Sequence, residues 1–407
     1  MERPGASPAR TVVPRRVDPD VVFSPDSSED LSRLSAHLTS HGYAVVGGVL
    51  TSAECDEALR LMWDWLEGLG TGIVRDDPDT WGDDRWPPTV EGGVVPWWGI
   101  GQSDACWLVR SRPAVRAPFD AIWSDLTNNK ARALSTHRRR SLISSFEGMS
   151  IWRSVDARAA GKRGECNSAG DGSCKTVHSP PAPLPWHVDQ HPCRPGRCTV
   201  QSLVDLLGTD VAGGRGNALV PRSHIQFTRW AGTYPALVEA SGADDYFEVP
   251  PGDPIFDRTD GLSGSAAVAV SLHAGDMLMW DSRVVHCNTI ASAVAPPREA
   301  GIPLAGLTRA VCYVCMTPRE GEESRDAGGC LSDRTSTGGP PVPDEAAIAA
   351  RREAIETGVT TTHAPWKCES TAKFAQYYPD ICHDGAPPPR PTPYVPPKMD
   401  AASWDLV

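Results

Sequence analysis

The stretch PWHVDQHP, residues 185–192, stands shortly before a strand-like run, CTVQSLVDLLG, at residues 198–208. His187, Asp189 and His191 occupy alternate positions in it. Because successive side chains of an extended segment point to opposite faces, these three groups share one face unless a turn redirects the last one. Imidazole and carboxylate groups bind metal ions, so the stretch predicts part of a metal site at the start of a strand; a polar strand end that faces solvent is the alternative.

The partner of these groups lies on a later strand. His286 ends the apolar run GDMLMWDSRVVH, residues 275–286, which follows a Gly-Asp turn. Two histidines and one carboxylate form the ligand face that holds non-haem Fe(II) and leaves positions open for a co-substrate and oxygen. We therefore predict His187, Asp189 and His286 as metal ligands. His191 has no required role in this arrangement, and the prolines after it are expected to turn it towards the rim.

A keto-acid co-substrate requires a cation for its far carboxylate. Arg309 begins the strand-like run LTRAVCYVCMTP, residues 307–318, and its planar guanidinium can bind a carboxylate through two parallel hydrogen bonds. Arg319 and Arg283 are alternatives. Arg319 follows a proline that should end the strand, and Arg283 lies three residues before His286, so that alternation puts it on the opposite face. We predict that Arg309 binds the co-substrate.

The remaining pattern predicts a mainly β core. From residue 198 onward, short runs of β-branched and apolar residues are separated by Gly and Asp turns, which is typical of an antiparallel sandwich or jelly roll rather than of βαβ units. The chain opens as helix, strand, helix: Ser27 is placed to begin the first helix, and Thr51 with Glu54 forms a capping-box signature for the second. Helical spacing returns around Pro113. The expected class is α+β, with helices flanking a β core.

Composition divides the chain further. The Pro- and Arg-rich amino terminus predicts a disordered tail, and one helix, DEAAIAARREAIETG at residues 344–358, precedes a Pro-rich end that is expected to be extended. Residues 128–140 and 157–184 combine Gly, Ser, Lys and Arg without apolar periodicity, so we predict that both are surface insertions. The predicted parts are a tail (1–20), a core domain (21–320) and a C-terminal extension (321–407).

Charge and apolar patterning disfavour several classes of partner. The chain has 407 residues and a formal net charge of -12, so neither a nucleic-acid backbone nor an anionic membrane surface is an expected partner. No window of about 18 uninterrupted apolar residues predicts a membrane span, and the amino terminus lacks the apolar core of a secretory signal. We expect a cytoplasmic protein; targeting to an organelle by the N-terminal tail is an open alternative.

Cysteine usage argues against a disulfide framework. Twelve cysteines are too dilute for one in a chain of this length, and without an export signal most are expected to be reduced. Cys312 and Cys315 have the spacing of zinc ligands but no second pair, and they lie in a strand-like run, which favours core packing.

Five motifs occur in a fixed order along the chain. They are HGYAVVGGVLTSAEC (41–55), WHVDQ (186–190), GGRGNALVPRSH (213–224), GDMLMWDSRVVH (275–286) and TRAVCYV (308–314). In their order and spacing, over roughly residues 28–320, the chain resembles the phytanoyl-CoA dioxygenase-like family of Fe(II)/2-oxoglutarate oxygenases.

The resemblance implies a fold, cofactors and two further site residues. The implied fold is a double-stranded β-helix that binds Fe(II), 2-oxoglutarate and O2 and oxidises a substrate C–H bond with release of succinate and CO2. By the same resemblance, Gln201 approaches the co-substrate and Trp280 flanks the iron-binding strand. A polar sheet residue and a core aromatic residue are the plain alternatives for these two positions.

Two other expectations concern the regions between the motifs. Asn217 and His224 are expected to form a structural turn, since polar side chains beside a proline commonly satisfy backbone groups. The separation between Asp189 and His286 is long for the family, which predicts an added loop near residues 240–265.

We expect residues 21–320 to form a dioxygenase domain that hydroxylates an unactivated C–H bond of a small organic metabolite. Asp189 argues against a non-haem halogenase, in which a small residue replaces the carboxylate. Two further classes compete with this expectation: a non-catalytic jelly-roll binding or scaffold protein, and an oxygenase that acts on a macromolecule. The sequence indicates neither the substrate nor the oligomeric state.

Overall fold

A computed structural model describes most of the chain. The described residues are 12, 14–90, 93–125, 142–153, 185–209, 216–241, 245–257, 266–288, 306–318, 345–365, 368 and 388–407. The predicted surface insertions at 128–140 and 157–184 lie outside these residues, as does Arg319. The predicted loop near 240–265 is described at 240–241 and 245–257.

Short strands dominate the middle of the described chain, and longer helices its amino-terminal third. The strands are β1 (Arg15–Val17), β2 (Val22–Phe23), β3 (Tyr43–Val46), β4 (Val94–Val95), β5 (Leu142–Ser144), β6 (Met149–Arg153), β7 (His187–Val188), β8 (Val200–Asp205), β9 (Asn217–Leu219), β10 (Phe247–Glu248), β11 (Val268–Val270), β12 (Met277–Asp281), β13 (His286–Asn288) and β14 (Leu307–Pro318). The α-helices are α1 (Ser28–His41), α2 (Ser52–Gly68), α3 (Asp104–Ser111), α4 (Pro113–Asp125), α5 (Arg229–Thr233), α6 (Pro235–Ala240), α7 (Glu345–Thr357) and α8 (Ala401–Trp404).

Local sequence signals explain where the first two helices begin and end. The Ser27 hydroxyl accepts a hydrogen bond from the Asp30 backbone N–H at 3.2 Å, and α1 ends at Gly42, whose φ of 83° lies in the left-handed region that favours glycine. At the start of α2 the side chains of Thr51 and Glu54 each accept from the other's backbone N–H, which completes a capping box. Both predicted helix starts are confirmed.

Two sheets form the β core of the described chain. The larger has the strand order β2-β3-β12-β8-β14-β6-β4, with β5 also pairing with β14, and the smaller has the order β1-β11-β9-β13-β7-β10. Pairing is antiparallel except between β1 and β11 and between β2 and β3. Most strand pairs are therefore antiparallel, as predicted. The described chain is a mixed α+β structure built on large sheets.

The two sheets face each other across an apolar layer. Leu203, Leu278 and Val311 of the larger sheet share one buried cluster with Leu219 and Val268 of the smaller sheet. Alternation sends the other side chains of the larger sheet outward, where they pack against the helices in a second cluster, which includes Met62, Trp107, Phe119, Val204, Met279 and Val314. The resulting layers are helices, larger sheet and smaller sheet.

Part of the predicted amino-terminal tail is a β-strand. Residues 1–20 were expected to be disordered, but β1 pairs in parallel with β11, with the Arg15 N–H donating to the Ala267 carbonyl at 2.9 Å and the Ser271 N–H to the Val17 carbonyl at 2.9 Å. An exposed sheet edge offers backbone N–H and C=O groups without hydrogen-bond partners. Arg15–Val17 pair with some of these groups on β11, although two of the three residues are charged. The prediction is therefore wrong for Arg15–Val17.

The C-terminal extension packs on the core. The predicted helix is present as α7, and its Arg351 is 5 % exposed and donates to the carbonyls of Ser144 at 2.6 Å and Val407 at 2.7 Å. Leu406 and Val407 are buried in the cluster beneath the helices. The described part of the extension thus packs against the core.

Most of the described cysteines are free thiols, as predicted. They are Cys55, Cys106, Cys193, Cys287, Cys312, Cys315 and Cys368. Cys198 is disulfide-bonded. Cys312 and Cys315 are fully buried in β14, which agrees with a packing role.

A buried ion-pair cluster at the end of β12 is expected to contribute to the stability of the protein. Asp281 is fully buried and accepts from the guanidinium of Arg197 at 2.7 Å and from that of Arg283 at 2.8 Å. Burial alone would raise the pKa of Asp281, but the two guanidinium groups outweigh it and hold that pKa well below its usual range. Removing one partner of a buried ion pair leaves uncompensated charge, so we expect Asp281→Asn to lower the unfolding free energy by about 3–5 kcal/mol.

The measurement is urea unfolding near neutral pH and in acid. Because the folded-state pKa is depressed, the contribution of Asp281 is present above the usual carboxyl pKa of about 4 and is lost as the pH falls through the folded-state value. The wild-type and Asp281→Asn curves should therefore converge in acid. Glu57→Gln, which breaks an exposed pair with Arg60, is the control and should change stability little. A neutral-pH loss no larger than that of the control would contradict the prediction.

Candidate metal centre

Two adjacent strands of the smaller sheet bring the predicted ligands together. His187 lies in β7 and His286 begins β13, and the two residues stand directly opposite each other in the antiparallel register. Directly opposed residues on one face lie close together, and the ring centroids are 4.3 Å apart. Both histidines are buried.

Asp189 completes the group from the loop after β7. One of its oxygens, Oδ1, is 3.7 Å from His187 Nε2, and the other, Oδ2, is 3.2 Å from His286 Nε2. The three residues offer one ligand atom each, all within 4.8 Å of one another, and they are the one such group of three among the described residues. The geometry can hold a metal ion. The predicted set His187, Asp189 and His286 is therefore brought together, and its role as ligands stays a prediction.

Backbone carbonyls fix which ring nitrogen of each histidine faces Asp189. His187 Nδ1 lies 2.6 Å from the Pro185 carbonyl oxygen, and His286 Nδ1 lies 2.9 Å from that of Val284. Because a carbonyl can only accept, both Nδ1 atoms carry the proton, and both Nε2 atoms keep a lone pair on the side of Asp189. This is the arrangement in which a metal-binding histidine is held by a hydrogen bond through its other nitrogen.

The protonation states also fit metal binding. Burial, together with the charge of His286, lowers the pKa of His187 to about 4. Burial alone would raise the pKa of Asp189, but His363, His187 and His286 outweigh it and hold that pKa well below its usual range. A neutral imidazole and an ionised carboxylate at neutral pH are the forms that bind a metal ion without first releasing a proton.

Gln201 and Trp280 both lie beside the candidate ligands. The Gln201 side chain donates to Asp189 Oδ2 at 2.9 Å, so in this structure it contacts a candidate ligand. The Trp280 ring lies 5.2 Å from the His286 ring and is 3 % exposed. Gln201 and Trp280 pair directly across β8 and β12 in the larger sheet, which therefore walls the site opposite the histidines.

Arg309 lies on β14 of the larger sheet and is 2 % exposed. Its guanidinium donates to Asn217 Oδ1 at 2.7 Å and, more weakly, towards Asn288 Oδ1 at 3.4 Å, while its Nε has no hydrogen-bond partner among the described residues. Asn288 follows His286 by two residues in β13 and so shares its face. Within the part of the chain that the structure describes, no carboxylate lies within ion-pair distance of Arg309. Its guanidinium is therefore a buried cation, and at least one of its N–H donors, Nε, is not used.

The other candidate arginine in the described chain has a different role. Arg283 donates to the buried carboxylate of Asp281, as alternation predicted for a side chain pointing away from the histidine face. The prediction of a structural turn is wrong for Asn217, which begins β9 and whose side-chain oxygen accepts a hydrogen bond from Arg309. His224 does serve the backbone, with Nε2 2.9 Å from the Thr39 carbonyl oxygen.

Three residues at the site were not anticipated. The Tyr246 ring stacks on His187 at 4.9 Å, and this residue comes from the region near 240–265 that was predicted as an added loop; its described part supplies β10, which pairs with β7. His363 Nδ1 of the C-terminal extension lies 3.9 Å from Asp189 Oδ2. Glu147 lies between β5 and β6 and interacts electrostatically with Asp189. His191, by contrast, is outside the cluster, as predicted.

The buried carboxyl group of Glu147 should make the stability of the protein depend on pH. Burial raises the pKa of its carboxyl to about 8, against the opposing hydrogen bond that Ser145 Oγ donates to it at 2.8 Å, and the nearby charge of Asp189 adds to the shift. Between the unfolded-state pKa and this value the folded protein keeps a proton that the unfolded chain has lost. Stability should therefore fall with rising pH, by at most about 1.4 kcal/mol per pH unit from this residue.

The Glu147→Gln variant has no titratable group at this position. As the pH rises from about 5 to about 8, its unfolding free energy should therefore fall less than that of the wild type. Urea unfolding of both metal-free proteins across this range is the measurement, and the difference between the two curves isolates residue 147 because the other groups titrate in both. Parallel curves would show that the carboxyl is ionised well below neutral pH.

Comparisons with known proteins give only distant likenesses. No family model matches the chain. The Ava biosynthesis cluster protein O of Aspergillus versicolor is 22% identical over 265 residues, which cover 63% of this chain and 68% of that protein. This identity is too low to assign a family.

Among solved structures, the epimerase SnoN, in complex with Fe3+, alpha ketoglutarate and nogalamycin RO, has 15% identity, a TM-score of 0.35, and coverage of 72% of this chain and 85% of its own. The non-heme monooxygenase ThoJ has 13% identity and a TM-score of 0.37, over 70% of this chain and 77% of its own. The hypothetical protein JW0805 from Escherichia coli has 12% identity and a TM-score of 0.38, over 86% of this chain and 81% of its own. None of these TM-scores is high enough to assign a function. None of the described helices is long and apolar enough to cross a membrane.

Proposed function

We propose that the protein is an Fe(II)- and 2-oxoglutarate-dependent oxygenase. The observation that carries the proposal is the group His187, Asp189 and His286, with both histidine Nε2 atoms turned towards one carboxylate in a buried site. Two imidazoles and one carboxylate are the ligand set of non-haem Fe(II) enzymes, which leave coordination positions open for small molecules. Iron held by these three residues would supply the redox chemistry for oxidation of a substrate by O2.

The chain's own groups meet the requirements of such a centre. The carbonyls of Pro185 and Val284 hold the two imidazoles in the metal-binding tautomer, and Gln201 holds the Asp189 carboxylate. These fixed contacts reduce the reorganisation that binding would otherwise require. Iron therefore fits the residues present, with His187, Asp189 and His286 as its ligands.

Arg309 supports the choice of co-substrate. The buried guanidinium of Arg309 interacts electrostatically with Asp205 but has no carboxylate within ion-pair distance among the described residues, and its spare donors match the far carboxylate of a keto acid. Asn217 holds one end of the guanidinium in place, which keeps its other donors directed to a ligand. We therefore assign Arg309 as the group that binds 2-oxoglutarate. Gln201 and Trp280 would border the same co-substrate from the larger sheet.

The finer assignment follows from the motif order. We propose a double-stranded β-helix of the phytanoyl-CoA dioxygenase-like family, in which residues 21–320 hydroxylate an unactivated C–H bond of a small organic metabolite. The two facing, mainly antiparallel sheets and the apolar layer between them support this fold. The buried histidines and Trp280 exclude water from the metal side of the site, which would protect the oxidation step from competing reactions.

The test is anaerobic reconstitution with Fe(II) and 2-oxoglutarate, followed by exposure to O2 with candidate metabolites. Substrate-stimulated release of succinate is the expected result. Iron binding with no 2-oxoglutarate binding would indicate another class of metalloprotein, and the lack of any binding would favour a jelly-roll binding or scaffold protein. Succinate release only in the presence of a macromolecule would identify an oxygenase of macromolecules.

A further inference from the structure

The C-terminal extension reaches the metal centre through residues 358–365, which we call the C-terminal strap. The strap follows α7 and contains Thr360 and Thr361, both buried. Thr361 N–H donates to the Phe146 carbonyl at 2.9 Å, and Phe146 N–H donates back to the Thr361 hydroxyl at 3.0 Å. This reciprocal pair joins the strap to the loop between β5 and β6.

Three further contacts fix the strap at both ends. At its start, the Gln102 side chain donates to the Val359 carbonyl at 2.8 Å and Gly101 N–H donates to the Thr360 hydroxyl at 3.2 Å. At its end, buried Arg351 donates to the carbonyl of Pro365. Residues between two such anchors have little freedom, so the strap presents His363 in a defined position.

His363 is directed at the candidate ligand Asp189. Its Nδ1 lies 3.9 Å from Asp189 Oδ2, and its side chain is 14% exposed. Neither ring nitrogen has a hydrogen bond to any residue that the structure describes. Among the described residues, the polar group nearest to this mostly buried and anchored imidazole is the Asp189 carboxylate, which is the geometry that a hydrogen bond to that carboxylate would need.

We propose that His363 is a positioning residue for the metal centre, which donates a hydrogen bond from its imidazole to the Asp189 carboxylate when the metal is bound. This inference rests on the proposed metal site. A carboxylate oxygen can accept more than one hydrogen bond, so His363 and Gln201 can both serve Asp189. His363 Nδ1 and Asp189 Oδ2 are 3.9 Å apart, which exceeds a direct hydrogen bond of about 2.7–3.2 Å, so the proposed bond requires these two atoms to move closer together when the metal binds.

The consequence is that the strap contributes to metal affinity from outside the core domain predicted from the sequence. Partners that hydrogen-bond a metal ligand typically change metal affinity by about 10–100-fold when they are removed. A merely structural histidine would instead affect folding and leave the affinity of the folded protein unchanged. Metal affinity and the stability of the metal-free protein therefore separate the two roles.

The test measures the Fe(II) dissociation constant of the full chain under anaerobic conditions, with the unfolding midpoint of each metal-free variant. His363→Phe keeps the ring volume and removes both nitrogens, so we expect Fe(II) to bind roughly tenfold or more weakly. His363→Gln should recover part of the affinity through its amide N–H. Thr362→Ala, the adjacent strap residue, is the matched control and should bind Fe(II) as wild type does.

A second measurement on the wild-type protein does not depend on how the variants fold. Zn(II) is diamagnetic, and its addition should shift the 15N NMR signal of His363 Nδ1 towards a protonated, hydrogen-bonded nitrogen. Wild-type Fe(II) affinity in folded His363→Phe, or unchanged His363 nitrogen signals on addition of Zn(II), would overturn the inference. Failure of the wild-type chain to bind Fe(II) at all would instead contradict the proposed function.

Discussion

His187→Ala and His286→Ala should each lose Fe(II) affinity by roughly two or more powers of ten, because each removes one of three protein ligands. Their Nε2 atoms converge on Asp189, and these three residues are the group among the described residues whose ligand atoms lie close enough together to hold a metal ion. The readout is anaerobic titration with Fe(II) and 2-oxoglutarate, in which wild type should develop a weak visible charge-transfer band. Both variants should lack that band and form no succinate.

The matched control for these variants is His191→Ala. His191 comes from the same stretch of sequence as His187 but lies outside the ligand cluster, so its removal should leave Fe(II) affinity and the band unchanged. A band of wild-type strength in His187→Ala or His286→Ala would remove that residue from the site. Loss of the band in His191→Ala would mean that the third ligand has been misassigned.

The parts of the site that alternation and strand order determine were predictable from the sequence. His187 and Asp189 stand two residues apart on an extended segment, and that spacing alone predicts a shared side. The contact with His286 depends on the pairing of β13 with β7, which motif order indicated. Arg309 was predictable for the same reason, since it begins the strand after the distal histidine.

The contacts that depend on irregular segments could not be predicted. His363 lies in a stretch, VTTTHAP at residues 359–365, without apolar periodicity, and its position is set by hydrogen bonds from Thr361 to Phe146 and from Gly101 to Thr360. No sequence pattern records such pairings between distant loops. β1 was missed for a related reason: three residues are too few to establish a period of two, and a sheet edge supplies the reason for their conformation.

The contact of Asn217 with Arg309 could not be predicted from the sequence either. Asn in a turn-rich motif is well explained by local backbone contacts, so the local explanation was preferred. The structure gives its side chain a partner 92 residues away, Arg309, because β9 and β14 face each other across the core. Such a contact follows only from the relative placement of the two sheets. Arg309 is also the residue whose substitution tests the proposed co-substrate most strongly.

Arg309→Ala should weaken 2-oxoglutarate binding by roughly two or more powers of ten. Hydrogen bonds to charged groups are each worth about 1.5–3 kcal/mol, and each ~1.4 kcal/mol is a factor of ten in affinity. Arg309→Lys keeps the charge but loses the parallel pair of donors, so it should recover only part of the affinity. The measurement is the 2-oxoglutarate dissociation constant under anaerobic conditions in the Fe(II)-loaded protein.

Two controls make the Arg309 result specific. Iron affinity without 2-oxoglutarate should be unchanged in both variants, because Arg309 contacts Asn217 and Asn288 and none of the candidate ligands. Arg319→Ala removes the alternative arginine and should bind 2-oxoglutarate as wild type does. If Arg319→Ala loses affinity while Arg309→Ala keeps it, the carboxylate is bound by the other arginine. If neither substitution changes the affinity, neither arginine binds the far carboxylate, and the assignment of a 2-oxoglutarate site to this face of the larger sheet is contradicted.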